Sequence, residues 1–574
     1  MSDNNEVSDS AEATVGRGWR LWLVLILLLL VAVGITARML SLYVEDQAFL
    51  QTQGDERTLR TVQVPAHRGI ITDRNGEPLA VSAPVATIWA DPKMMDLQHA
   101  GIAKLAALLK SNKKKLIAKL SAHRTKRFLY LQRQGTPELA EKVRALRIPG
   151  VHVDREYKRY YPAAEVTTHL VGFTNLDGKG QEGLELAYED WLKAESGKQL
   201  VMKDRLGRTI KHVREVKSAQ HGNNIELSID LRLQYLAYRE LKTAVKAHNA
   251  DGGSLVMLDV KTGEVLAMVN QPSYNPNDPR QRVSTALRNR SLTDTFEPGS
   301  TVKPMTVAAA LMSGQYTPDT LVDTSPGYFR VKRKTIRDHR NYGEIDVSTI
   351  ITKSSNVGVT KLTLSLPEGS VRNLFHNVGL GQATGIGFPG ESSGYLPYLN
   401  QRQVVERATL SYGYGLSVTP LQLAQSYLAL ANDGVMSPVN LIRQKEAGKP
   451  VRVMPASVAK DVRVMMETVI SNKGTGRRAA VPGYRVAGKT GTVHKVGPGG
   501  YIDDQYMSTF AGIAPVSNPR LVTVVMIDNP KGQEYYGGEV AAPVFSRAVG
   551  GALRLLNVPP DNWPEVNKQI AHRH

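Results

Sequence analysis

Hydrophobic and polar positions follow three different rhythms along this chain, and each rhythm predicts a different kind of element. The first is unbroken. From Leu21 to Ala37 no position is charged, and a bilayer-spanning helix needs about 20 such residues. Trp19 and Tyr43 bracket the run, as aromatic residues do at membrane interfaces. Arg17 and Arg20 precede it, so the positive-inside rule puts the N-terminus in the cytoplasm; Arg38 counts against that orientation. A cleaved signal peptide is the alternative. The run is long for one, and no small-x-small cleavage site follows it. Residues 1–18 are polar and small, with Asp3, Glu6, Asp9 and Glu12, and read as a disordered tail.

The second rhythm is the alternation of strands. Two β-branched runs between Thr61 and Ser82 flank Asn75-Gly76, a hairpin signal. Ile225–Ile229 reads as a strand. Ser254–Val260 and Glu264–Asn270 read as a hairpin turning at Lys261-Thr262-Gly263. Tyr484–Val493, Ser508–Ala514 and Leu521–Ile527 read as three successive strands. The third rhythm is helical. Residues 101–121 form a Lys-rich amphipathic pattern, expected as one surface helix. Residues 231–248 form another. Met305–Met312 is apolar enough for a buried helix closed by Gly314. Thr419-Pro420 opens a helix running through Leu430 and ended by Gly434, with proline at a favoured first position. Residues 150–192 mix short strands with Gly-rich turns. Arg68, Asp73, Arg155 and Arg159 are expected in structural ion pairs. Strands, then helices, then strands again predict a sheet covered by helices.

Composition changes this picture in two ways. The 574 residues include no cysteine, which removes disulfides, thiolate zinc sites and a cysteine nucleophile. The formal net charge is +19, which suggests an anionic partner such as a membrane surface or an acidic polymer. No basic-aromatic motif of a nucleic-acid fold is present, so no nucleic acid partner is expected.

Candidate chemistry centres on Glu297-Pro298-Gly299-Ser300-Thr301-Val302-Lys303-Pro304. This is a turn entering the Met305–Met312 helix, with Ser300 expected as a hydroxyl cap. Lys303 lies three residues on, on the same helix face. Ser-x-x-Lys recurs at Ser111–Lys114, in a basic surface stretch, and at Ser457–Lys460, at an ordinary helix start. Company decides among them. Downstream of Ser300 come Ser354-Ser355-Asn356 and then Lys489-Thr490-Gly491-Thr492, the latter on a predicted strand. Only one set runs Ser-x-x-Lys, Ser-x-Asn, Lys-Thr-Gly in that order with each member in a fitting setting.

With these motifs the chain resembles the penicillin-binding proteins and serine β-lactamases. Arg68–Ala80, Arg159-Tyr160-Tyr161-Pro162 and His169–Phe173 resemble the N-terminal signatures of class B penicillin-binding proteins. Asp294–Pro304, Ser411–Gln422 and Tyr535–Gly538 resemble the cell-division member of that class, and the likeness runs over roughly residues 20–558. The resemblance implies an α+β multidomain chain: a single N-terminal transmembrane helix, a mixed pedestal domain, and a transpeptidase domain with an antiparallel sheet between helices. Expected boundaries are a cytoplasmic tail at 1–18, an anchor at 19–41, a non-catalytic pedestal of dimerisation type at 42–220, the transpeptidase domain at 221–558 and a loose tail at 559–574.

The activity implied is septal peptidoglycan D,D-transpeptidation through a serine acyl-enzyme, with acylation by β-lactams. Ser300 would be the nucleophile and Lys303 its base, its pKa lowered by burial beside Lys489. Ser354 would relay a proton to the departing D-alanine, and Asn356 would hold the substrate amide and orient Lys303. Thr490, Gly491 and Thr492 would bind substrate, the threonines holding its terminal carboxylate beside Lys489. The backbone N–H groups of Ser300 and Thr492 would form the oxyanion hole. No metal or cofactor is implied. Expected partners are peptidoglycan stem peptides, β-lactam antibiotics, a membrane glycan polymerase and other division proteins. The expected location is the inner membrane, single-pass, with the catalytic domain in the periplasm at the division septum.

The middle motif is Ser-Ser-Asn and not the Ser-Asp-Asn of class A β-lactamases, which implies slow hydrolysis of the acyl-enzyme. Two other readings stay open on sequence alone: a D,D-carboxypeptidase or β-lactamase-type hydrolase, and a non-enzymatic division scaffold. A glycosyltransferase activity is not expected. Glu45-Asp46-x-x-Phe49 superficially suits the start of that signature, but Thr52 stands where a histidine belongs.

Overall fold

In a computed structural model the described residues are 15–204, 209–443, 448–497 and 499–562. Most of both expected tails lies outside them. The apolar run forms helix α1 (Val15–Val44), 30 residues long, or ~45 Å at 1.5 Å per residue. From Leu21 to Ile35 its large side chains are exposed on all sides, so none of the described residues covers its apolar surface. Helix α2 (Gln47–Thr58) leads directly into strand β1 (Leu59–Val64).

The expected hairpin at Asn75-Gly76 is present as β2 (Ile71–Thr72) and β3 (Pro78–Ala90), with Gly76 at φ +87°. The Lys-rich segment departs from expectation. It is two helices, α3 (Gly101–Leu108) and α4 (Lys113–Ala122). Lys110 takes φ +49° and the Asn112 side chain accepts the Lys114 N–H at 2.8 Å, so a local cap competes with helix continuation. These helices and α5 (Pro137–Ala145) cover one face of the sheet formed by β3, β4 (Leu129–Gly135) and β5 (Val151–Tyr160). Their shared core includes Ile88, Ile102, Leu105, Leu120 and Val143. The 150–192 region is therefore one ten-residue strand followed by short helices, not several short strands. A separate antiparallel sheet pairs β1, β6 (Gly197–Lys203) and β7 (Thr209–Lys217).

The expected ion pairs hold for two of four residues. Arg68 and Arg159 both meet the fully buried Glu185 at 2.6 Å. Asp73 makes no ion pair among the described residues. It accepts the N–H groups of Asn75, Glu77 and Leu231, which fastens the hairpin to the next domain. Arg155 has no ion-pair partner among them either.

The strand expected at Ile225–Ile229 is only β8 (Ile225–Glu226), parallel to β2. Helix α6 (Leu231–Ala247) follows, capped by Asp230. The main sheet is wholly antiparallel. In chain order its strands are β9 (Gly252–Asp259), β10 (Val265–Gln271), β11 (Ala487–Gly497), β12 (Gly500–Ala514) and β13 (Leu521–Asp528). In space they run β10-β9-β13-β12-β11, so β11 is an edge. Alternate residues face opposite ways, as the pleat requires. Leu255 and Met257 join α6 and the C-terminal helix Ala542–Leu555 in one core; Val256 and Leu258 join the central helices in another.

Candidate active site

The three motifs come from three different elements. Ser300 lies in a short 3-10 turn, Gly299–Val302, that runs into α7 (Lys303–Met312). Its hydroxyl is not a cap: neither helical segment takes a side-chain capping bond at its start. Ser300 Oγ has no hydrogen-bond partner among the described residues. The turn is fixed from behind. The Gly299 N–H donates to Gly413 O at 3.1 Å, and Tyr427, wholly buried, donates its hydroxyl to Thr301 O at 2.6 Å. Gly413 sits at φ +87°, and a Cβ there would lie 2.1 Å from Gly299 O.

Ser354 ends helix α8 (Val347–Lys353) in the left-handed region at φ +60°. Ser355 caps α9 (Asn356–Ser365) by accepting the Gly358 N–H at 2.9 Å. A left-handed serine is strained by about 1 kcal/mol or more, and one carboxylate holds it in place. Asp338 accepts the Ser355 hydroxyl at 2.6 Å and the Asn356 and Val357 N–H groups at 2.6 and 3.0 Å. Motif reasoning did not find Asp338. It lies just past the strand Lys334–Arg337, and only the fold brings it to Ser355.

Lys303 and Lys489 are fully buried. The Lys303 Nζ reaches Ser354 O, Ser354 Oγ at 3.1 Å and Asn356 Oδ1 at 2.7 Å. Burial drives its pKa well below the usual lysine value; the Lys489 charge pushes it further down and Asp338 opposes. The Lys303 Nζ donates toward Ser354 O, Ser354 Oγ and Asn356 Oδ1. Lys489 Nζ meets only the carbonyl of Thr490, at 3.2 Å, among the described residues. Burial lowers its pKa to about 7.

Edge strand β11 closes the other wall. Thr490 shares a 2.8 Å hydroxyl contact with Thr475, a lining residue the motifs did not signal. Thr492 Oγ1 accepts the Gly537 N–H at 2.9 Å, leaving its own proton free. Gly491 lets the strand pass the nucleophile turn: a Cβ there would meet Thr301 Cγ2 at 2.9 Å and Pro298 O at 3.1 Å. Ser300, Ser354, Thr490 and Thr492 line one cavity of about 610 Å3, rimmed by Tyr414 and Tyr535. Lys303, Lys489 and Asn356 stand behind it. The structure thus brings the motif residues together around one cleft. The rival pairs Ser111–Lys114 and Ser457–Lys460 lie at the starts of α4 and of helix Ala456–Glu467. Among the described residues no cluster of side chains could hold a metal ion.

Comparison with known proteins places this geometry in a family. Residues 253–550 match the penicillin binding protein transpeptidase domain, and residues 63–227 match the penicillin-binding protein dimerisation domain. The chain is 44% identical over 549 residues to the peptidoglycan D,D-transpeptidase FtsI of Escherichia coli, covering 95% of this chain and 93% of that one. It is 42% identical over 558 residues to the probable peptidoglycan D,D-transpeptidase PbpC of Pseudomonas aeruginosa, covering 97% and 99%. Among solved structures it resembles penicillin binding protein 3 of Mycobacterium tuberculosis complexed with aztreonam, at 30% identity and TM-score 0.68 over 87% of this chain and 98% of that one. The transpeptidase domain of Burkholderia pseudomallei penicillin-binding protein 3 aligns at 44% identity and TM-score 0.54, over 58% and 97%. The chain belongs to the penicillin-binding transpeptidase family, with a dimerisation-type domain ahead of the catalytic one.

Proposed function

We propose that this chain is a septal peptidoglycan D,D-transpeptidase working through an acyl-enzyme on Ser300. The observation that carries the reading is the buried, charge-depressed Lys303 held between Ser354 and Asn356 behind an unpartnered Ser300 hydroxyl. Neutral Lys303 takes the Ser300 proton as Oγ attacks the carbonyl of the penultimate D-alanine. The Ser300 and Thr492 N–H groups hold the oxyanion, about 3–4 kcal/mol per donor. Ser354, already in contact with Lys303 Nζ, passes the proton to the departing D-alanine. Thr490, Thr492 and charged Lys489 hold the terminal carboxylate, and Gly491 lets that wall lie close. An amine of a second stem peptide then attacks the ester, forming the cross-link and returning Oγ–H to Ser300. A β-lactam enters the same path and stops at the ester.

Helix α1 anchors the chain once in the inner membrane, with the catalytic domain outside the cytoplasm at the division site. Its length and its uncovered apolar surface support the anchor itself. The partners are a membrane glycan polymerase and other division proteins, as the resemblance of its motifs to the cell-division class implies. The test is reconstitution. Full-length protein, given polymerised lipid-linked glycan with D-alanyl-D-alanine-ended stems, should form cross-linked dimers with release of D-alanine, and Ser300→Ala should form none. Shortened stems without cross-links would instead identify a carboxypeptidase.

A further inference from the structure

The pedestal holds a second cavity, of about 560 Å3, built from none of the residues of the catalytic cleft. Its walls include parts of two strands that are each paired on one side only among the described residues. One is β1, through Gln63 and the following Pro65 and Ala66; the other is β5, through Arg155, Glu156, Tyr157 and Arg159. Arg159 is the buried member, its side chain 3% exposed. Its Nε donates to Glu185 at 2.6 Å, and Nη1 finds only Ser82 Oγ at 3.5 Å. Its Nη2 is buried with no acceptor among the described residues. Neighbouring Arg68 differs: its Nε, Nη1 and Nη2 all meet Glu185, Glu189 or a backbone carbonyl.

A buried guanidinium N–H without an acceptor costs about 1–3 kcal/mol and is relieved by an anion. The rim adds to that pull. Arg155, Lys179 and Lys193 line the cavity with no ion pair among the described residues. Of the lining acids, Glu156 and Asp177 are held by Arg133 and Glu189 by Arg68, which leaves Asp190. Cations in surplus beside open strand edges select a particular guest. The rows of free N–H and C=O groups suit a peptide backbone; a lipid headgroup or a sugar phosphate would leave them unmet.

We infer that this cavity receives an extended, acid-bearing segment of another protein, which adds to an open edge of β1 or β5 and sets a carboxylate against Arg159. This gives a chemistry to the partner docking proposed above and rests on none of the catalytic assignments.

The experiment uses full-length protein in detergent and a short labelled peptide alternating Glu and Val. Binding is read by fluorescence anisotropy and amide exchange. The native chain should bind it, and exchange should slow within Leu59–Val64 or Val151–Tyr160. Arg155→Glu with Lys193→Glu should weaken binding by more than about tenfold. Lys113→Glu with Lys114→Glu on α4, the same change in net charge, should alter it by less than about twofold. Fluorescent penicillin labelling of all forms reports that each is folded. No binding to native protein, equal loss in both double variants, or exchange unchanged at both strands would overturn the inference.

Discussion

The pair of buried lysines makes opposite demands on pH. Lys303 must be neutral to take the Ser300 proton, and burial and the Lys489 charge keep its pKa low. Acylation therefore falls on the acid side as Lys303 gains a proton. Lys489 must be charged to attract a carboxylate, and its own pKa is about 7. Capture by the free enzyme therefore falls as pH rises through that value. The second-order rate of penicillin acylation should be bell-shaped, with its alkaline limb near pH 7. Asp338→Asn sharpens the test. Asp338 is the group that raises the Lys303 pKa, so its loss should move the acid limb to lower pH. Loosening the Ser354 turn should also cut the plateau roughly 10–100-fold, and the alkaline limb should stay put. A pH-independent rate would remove Lys303 as the base.

At the scale of elements, the site depends on how closely β11 passes the nucleophile turn. Gly491→Val puts methyl groups where Thr301 Cγ2 and Pro298 O already stand at 2.9 and 3.1 Å from a first added carbon. The edge strand must move away, carrying Thr490 and Thr492 with it. Acylation should drop by about 100-fold or more. Circular dichroism should remain native, because β11 is an edge and β12 stays paired to β13. Native acylation in the variant would show that the carboxylate wall does not depend on this approach. The three motifs were legible in sequence because each is a short local pattern and their order is informative. What joins them was not. Asp338 reaches Ser355 across 17 residues of chain, and Thr475 reaches Thr490 across 15. Neither spacing has a periodicity that sequence could reveal. Element ends failed for related reasons: the Asn112 cap split one amphipathic pattern in two, and β12 begins at Gly500 because β11 pairs with it beyond the apolar stretch.

Over the whole molecule, the hydrophobic rhythms separated a long uncovered apolar helix, a strand-rich pedestal and a helix-covered sheet. The described contacts explain why they act together. Asp73 ties the pedestal hairpin to the Leu231 N–H, and Arg74 meets Glu264 at 3.2 Å, so the pedestal is fastened to the sheet that carries the active site. The anionic partner suggested by the net charge was legible only as a sign. Its proposed place is the cavity around Arg159, which depends on a buried nitrogen and on strand edges that composition does not show.

The central claim is that Ser300 forms an ester that water does not readily cleave. The most direct measurement is intact-protein and peptide mass spectrometry of the full-length chain after brief exposure to penicillin. The mass of one whole penicillin should appear on the peptide containing Ser300, persist long after free drug is removed, and be absent in Ser300→Ala. Release of hydrolysed penicillin with return of the unmodified protein within seconds, or an adduct on another residue, would contradict the assignment.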